Sequence, residues 1–394
     1  MPTKMKNPKM VCFVLLLSGF MSSADTMTLQ PIIDLLATKV FPQYGYSTVS
    51  MIMNASALAL AIISVVTGAL TKFGKKKLLL IGSALFTVGG LAGATITNLY
   101  FIIFTRLFEG LGAGLVLTVS MMLIPSLFQD QQQVDKIMGY NGILMALFSA
   151  IITFTSGYMA LVNWKLPFLY YALGAVVFVL QWIYIPNDKS AAEENMPAQA
   201  SHISKAGMVH ALNGFTFGLF TTFFFVCISG VLAQNGIGDA GVAGTASTFN
   251  TIGSFFSGFV FAMVFNKLKR FSPAAFYVIL AAAVLGLLNV STIPLVCAVA
   301  FLHGIGWNMF FSYYLAKVSM FSDEGSLDAN MSLCNGAFYL GQFVTPLAMT
   351  AVAAVTGNDS PVFAQKFALI CLAALAIIHF ICAMIGNAQE KAAA

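Results

Sequence analysis

Charged side chains are scarce in this sequence: 8% of its 394 residues are Asp, Glu, Lys or Arg, against 59% hydrophobic, with a mean hydropathy of +0.87. A soluble domain carries about 25% charged residues, so the composition excludes an ordinary water-soluble fold and predicts a chain dissolved in lipid. Cysteine pairs are also lacking. Cys12, Cys227, Cys297, Cys334, Cys371 and Cys382 are scattered through apolar stretches with no CxxC spacing. They read as small buried hydrophobes, and neither a metal centre nor any cofactor is expected. No phosphate-binding loop, HExxH helix or Gly-x-Ser-x-Gly turn is present, which argues against ATP-driven work and against an enzyme.

What is present is a succession of apolar runs long enough to cross about 30 Å of hydrocarbon at 1.5 Å per residue. Twelve are expected, at 10–36, 47–71, 77–97, 99–128, 136–162, 165–185, 206–233, 241–265, 272–290, 293–319, 327–355 and 361–387. A backbone in lipid must satisfy its own hydrogen bonds, so these runs are predicted to be helices and the fold class all-α. The first follows Lys4, Lys6 and Lys9 but lacks a small-residue cleavage site, and reads as a membrane helix rather than a signal peptide. The longest polar stretch holds Asp188, Lys189, Glu193, Glu194 and Pro197. It divides the chain into an expected six-helix bundle at 1–185, a cytoplasmic linker at 186–205 and a second six-helix bundle at 206–394.

With the amino terminus inside, the cytoplasmic segments hold Lys4, Lys6, Lys9, Lys72, Lys75, Lys76, Lys77, Lys136, Lys189, Lys205, Lys267, Lys269, Arg270, Lys317 and Lys391. The outer segments hold only Lys39, Lys165 and Lys366. Fifteen against three puts both termini in the cytoplasm of a multi-pass protein, read as residing in the plasma (inner) membrane. The same rule accounts for the net charge of +5 without a nucleic-acid partner. A basic turn at Lys72–Lys77 after the second run has a counterpart at Lys267–Arg270 after the eighth, as in a transporter built from repeats.

Four local patterns carry a family resemblance. Gly68-Ala-Leu-Thr-Lys-Phe-Gly-Lys-Lys-Lys77 resembles the loop between helices two and three of the major facilitator superfamily, although Thr71 and Lys72 stand where the family has an aspartate. Arg106-Leu-Phe-Glu-Gly-Leu-Gly-Ala-Gly114 resembles the fourth-helix motif of its twelve-helix drug/proton antiporters, and Ala24-Asp25-Thr26 with Leu29-Gln30-Pro31 resembles their acidic first-helix motif. Asn163-Trp164-Lys165-Leu-Pro-Phe168 is similar to the family's entry to helix six. The fifth run departs from the antiporter pattern: Gly139, Gly142 and Gly157 stand in place of a Gly-Pro pair. The resemblance implies two six-helix bundles around one central site that opens alternately to either side.

The residues themselves point to the same centre. An ionised side chain in the bilayer core costs about 2.5–3.5 kcal/mol on insertion scales and so faces a partner or a wet cavity. Asp25 lies about 22 Å along its helix from Met10, and Arg106 about 10 Å in from the opposite face, so their depths are compatible. Glu109, three residues on, shares a helical face with Arg106. These three are the candidates for proton coupling, the alternative being a static ion pair that ties helices one and four together. Substrate contacts are expected from Gln30, Asn141, Asn213, Asn250, His303, Trp307, Asn308, Asn335, Tyr339 and Gln342, amides and aromatics suited to an amphipathic ligand. His303 near the midplane is equally readable as a hydrogen-bonding packing residue.

The expected function is secondary transport of a small organic substrate, with protons and the lipid bilayer as its other partners and a monomer as its state. Proton-coupled efflux is the first expectation. Uptake of an organic anion by symport or facilitated diffusion, with Arg106 as the carboxylate partner, is the second. A non-transporting sensor or membrane-embedded enzyme is a distant third.

Overall fold

A computed structural model describes residues 7–128, 130–187, 202–323 and 325–393, with side chains to 386. Twelve helices of at least twelve residues occur among them: α1 Pro8–Met27, α2 Tyr46–Leu70, α3 Lys75–Ala92, α4 Leu99–Leu127, α5 Gln131–Val162, α6 Leu173–Tyr184, α7 Lys205–Gln234, α8 Ala240–Leu268, α9 Ser272–Asn289, α10 Ile293–Phe321, α11 Leu327–Thr356 and α12 Pro361–Ala393. Their starts are written locally. Asn7, Asn98, Asp130, Ser204 and Asp239 accept from backbone N–H groups of the first turn, satisfying donors that have no partner inside the helix.

Among the described residues, ten segments are long and apolar enough to span a membrane. Two physical details separate ten from twelve. Residues 240–289 form one continuous apolar segment that turns at Lys269 into α8 and α9, and α3 opens on Lys75, Lys76 and Lys77, which offset its apolar remainder. The third expected run ends early, at Ala92, because Gly93–Asn98 turns the chain into α4, and the fifth starts early because Asp130 caps it. Of the expected linker, 188–201 lie outside the described residues, as do Lys4, Lys6 and Lys189 and the Lys391 side chain.

The two basic turns share a conformation. Thr71–Phe73 and Lys269–Phe271 are both single 3-10 turns, and a positive φ occurs in each junction, at Gly74 (95°) and Lys269 (48°). Between α1 and α2 the chain is irregular. Pro31 lacks an amide hydrogen, the helix tightens into a 3-10 turn at Gln30–Ile32, and a wider π turn follows at Leu36–Val40.

α2 packs against α4 and α11, α5 against α8, α1 against α4 and α5, and α7 against α11. The most extensive contacts joining the first six helices to the last six are α2–α11 and α5–α8. Large apolar side chains are exposed on α3, α6, α9 and α12, among them Val88, Trp182, Val278 and Ile370, where lipid rather than water is the matching solvent. Cys227, Cys297 and Cys334 are buried, Cys12 and Cys371 half-buried, and Cys382 is exposed on α12.

Candidate functional site

A cavity of about 530 Å³ lies between the halves, walled by α1, α2 and α5 on one side and by α7, α8, α10 and α11 on the other. Asp25 is on its wall, and behind Asp25 is a fully buried charge cluster. Arg106 Nη2 donates to Asp25 Oδ1 at 2.9 Å and to the Asp25 carbonyl at 2.6 Å, while Nη1 sits 2.8 Å from Glu109 Oε2. The Glu109 contact is an ion pair by distance without the alignment of a hydrogen bond. Nε donates to the Ile52 carbonyl at 3.1 Å and Nη1 to the Tyr171 hydroxyl at 2.6 Å. The guanidinium is thus held on every edge by α1, α2, α4 and the segment leading into α6.

Local sequence makes this approach possible. A Cβ at Gly110 would lie 2.6 Å from the Ser56 carbonyl, so glycine lets α4 abut α2 and brings Ile52 within reach of Arg106. Phe86, Phe168 and Arg106 surround the Tyr171 ring, with the guanidinium carbon 5.5 Å from its centroid. Three carboxylate oxygens, Asp25 Oδ2 and both of Glu109, are buried and accept no hydrogen bond among the described residues, Glu109 Oε2 having only its ion-pair contact with Arg106. Three ionisable groups meet there, two carboxyls and one guanidinium.

On the face that carries the α1–α2 loop, the halves are stitched together. Tyr46 donates its hydroxyl to the Val226 carbonyl at 2.8 Å, Ser47 N donates to the Asp359 carboxylate at 3.3 Å, and Asp34 N donates to Ser229 Oγ at 3.2 Å. Deeper in, Gln30 Nε2 donates to Ser247 Oγ at 3.0 Å, Thr248 Oγ1 to the Ala150 carbonyl at 3.2 Å and Asn54 Nδ2 to the Gln342 carbonyl at 2.8 Å. Asn54 is the deepest. Among the described residues no hydrogen bond joins the halves between it and the opposite face. The cavity begins where these bonds end, with Gln30 and Asn54 belonging to both.

Of the residues expected to contact substrate, Gln30, Asn250, Trp307, Asn308, Tyr339 and Gln342 lie on the cavity wall. Asn141 is buried beside Met145, its Nδ2 3.3 Å from the thioether sulfur. Asn213 is half-buried on α7 and Asn335 half-buried on α11, neither on the wall. His303 is buried behind the wall, stacked on Phe224 with ring centroids 3.7 Å apart, and its Nδ1 is 2.9 Å from Asn250 Nδ2. Asn54, Thr222, Ser254 and Tyr171 went unremarked in the sequence. Asn54 was detectable as the single amide in the apolar run of α2.

A helical membrane protein with a central cavity between two sets of six helices, and an acid on its wall, has the architecture of a secondary transporter. The family model of the Major Facilitator Superfamily matches residues 15–233, and the chain belongs to that superfamily. Among solved structures it is similar to the crystal structure of a D-xylose–proton symporter, with a TM-score of 0.72 at 14% identity over 94% of this chain and 97% of that one. At that identity the likeness shows the fold. No curated protein matches the sequence at a significant level.

Proposed function

We propose that the protein is a proton-coupled secondary transporter that exports a small amphipathic organic compound by alternating access. The six-helix units at 1–185 and 206–394 rock about the cavity, joined through 186–205. The single observation that carries this reading is the double placement of Asp25, on the cavity wall and in contact with Arg106. With all three groups ionised, Asp25, Arg106 and Glu109 carry a net charge of −1 in a buried site. One proton neutralises them, and a change of occupancy in the cavity reaches that proton directly through Asp25.

Lys9, Lys72, Lys75–Lys77, Lys136, Lys267, Lys269, Arg270 and Lys317 fall on the face opposite the α1–α2 loop. The positive-inside rule makes that face cytoplasmic in the plasma (inner) membrane. The sealed face is then external and the conformation inward-facing. The anion-uptake reading is less well supported, since Arg106 is not on the wall and its N–H groups are already engaged. We take the protein to act as a monomer, since each chain carries a whole cavity.

The test is a proton-flux assay in proteoliposomes enclosing a pH-sensitive dye and loaded with a ligand chosen by thermal shift. Antiport acidifies the lumen as the ligand leaves, symport alkalinises it, and an unchanged lumen during ligand efflux contradicts proton coupling. The sign is thermodynamic and does not depend on the orientation of insertion.

A further inference from the structure

The polar atoms of the cavity wall are not evenly divided between donors and acceptors. Three asparagines line it, and in each the amide nitrogen is turned away toward a backbone carbonyl. Asn54 Nδ2 donates to the Gln342 carbonyl at 2.8 Å, Asn250 Nδ2 to the Ala300 carbonyl at 3.1 Å, and Asn308 Nδ2 to the Ser254 carbonyl at 3.0 Å. A carbonyl can only accept, so the amide cannot be flipped without setting oxygen against oxygen. Asn250 and Asn308 engage their amide nitrogens further, with His303 Nδ1 and with Ser257 Oγ at 2.7 Å. What remains for the cavity is Oδ1 of all three, which accept no hydrogen bond among the described residues, and one N–H of Asn54, whose Nδ2 has a single partner.

Three of the hydroxyls on the wall follow the same rule. Thr222 donates to the Gly218 carbonyl, Thr251 to the Ser247 carbonyl and Ser254 to the Gly304 carbonyl, leaving oxygen lone pairs free. Asp25 Oδ2 and Gln30 Oε1 are buried without a donor. No Lys, Arg or His is on the wall among the described residues. Donors do exist, in Trp307 Nε1, Tyr339, Gln342, the second N–H of Asn54 and the hydroxyls of Ser22 and Ser149, but the acceptor lone pairs of the amide, carboxylate and hydroxyl oxygens outnumber them. The rest of the wall is aromatic and aliphatic, with Phe225, Phe311 and Phe338 facing the same space.

We infer that the cavity takes a protonated amine on an apolar body, its N–H groups donating to the amide oxygens of Asn54, Asn250 and Asn308, and that these three residues determine specificity. An ammonium supplies up to three donors and a positive charge for a wall of acceptors and π-faces bearing one carboxylate. A carboxylate ligand brings acceptors to acceptors and a negative charge toward Asp25. A polyol would leave its own acceptors without partners over most of the apolar surface. This ligand class rests on reading the cavity as the transport site.

The test is binding to purified, detergent-solubilised protein of four compounds that share one apolar body: 4-phenylbutylamine, its N,N,N-trimethyl ammonium analogue, 4-phenylbutanol and 4-phenylbutyrate. The primary amine should bind about tenfold or more tightly than the trimethyl ion, which keeps the charge and loses every donor, because a hydrogen bond to a charged group is worth roughly 1.5–3 kcal/mol. The alcohol should be weaker than the amine, and the carboxylate weakest. In Asn308→Leu and Asn250→Leu the preference for the primary amine over the trimethyl ion should shrink toward unity. Retained trimethyl binding in those variants reports an intact site. Equal affinity for the two cations in the wild-type protein, a carboxylate that binds best, or no binding by any of the four would overturn the inference. A different ligand that drives proton flux in the dye assay would then leave the transport reading standing while removing this ligand class.

Discussion

Arg106 is the residue on which the buried charges depend. It is 1% exposed and touches Asp25, Glu109, Tyr171 and the Ile52 carbonyl. Arg106→Leu strands two carboxylates in a low-dielectric site, and removing one partner of a buried pair costs about 3–5 kcal/mol. We expect a lowered melting temperature and no transport, with melting followed in detergent. Arg106→Lys keeps the charge and loses the planar fork, so it should melt above Arg106→Leu and below wild type. Tyr171→Phe removes one hydrogen bond to a charged group, about 1.5–3 kcal/mol, and the same melting assay checks it. The Asp25–Arg106–Glu109 grouping was legible because depth and helical spacing are written in the sequence. Tyr171 was not, since a tyrosine in an apolar run gives no sign of which buried group its hydroxyl meets. Asn213 and Asn335 look like Asn250 and Asn308 in sequence. Rotation of α7, which hydropathy does not specify, turns Asn213 from the cavity, while Asn335 shares the face of Phe338, Tyr339 and Gln342 but lies a turn beyond the wall along α11.

Between elements, the seal on the face of the α1–α2 loop is concentrated where α5 crosses α8 and where α2 and the α1–α2 segment meet α7, α11 and the start of α12. At the α5–α8 crossing, a Cβ on Gly157 would collide with the Ala240 carbonyl, and one on Gly244 would lie 2.6 Å from the Thr153 carbonyl. Small residues here let two backbones touch without lipid between them. With the proposed orientation, Gly157→Val should therefore weaken the seal, read as increased accessibility of a cysteine placed at Gln30 to an impermeant thiol reagent added from outside. No increase would show that the seal does not need this contact. Tyr46→Phe removes one hydrogen bond across the halves, about 0.5–1.5 kcal/mol, and should move the same readout in the same direction by roughly twofold to tenfold. Helix existence was readable from apolar runs and cap residues. Which helices cross at glycine was not, because Gly139 and Gly142 meet nothing within 4 Å while Gly157 is in tight contact, although all three look alike in sequence.

At the scale of the whole molecule, the fold places one acid where a cavity and a buried charge cluster adjoin, and one face is sealed while hydrogen bonds between the halves stop at Asn54 on the way to the other. Rocking two packed units about such a cavity requires only that the seal on one face form as the other breaks. In the proposed coupling a proton drives this cycle, and Asp25→Asn removes the group proposed to bind it while leaving an isosteric side chain on the wall. The most direct measurement is transport by Asp25→Asn proteoliposomes in two modes, ligand exchange at equal pH and ligand accumulation driven by an imposed pH gradient. Exchange should persist and gradient-driven accumulation should vanish. Accumulation at the wild-type level in the variant would contradict a proton carried through Asp25.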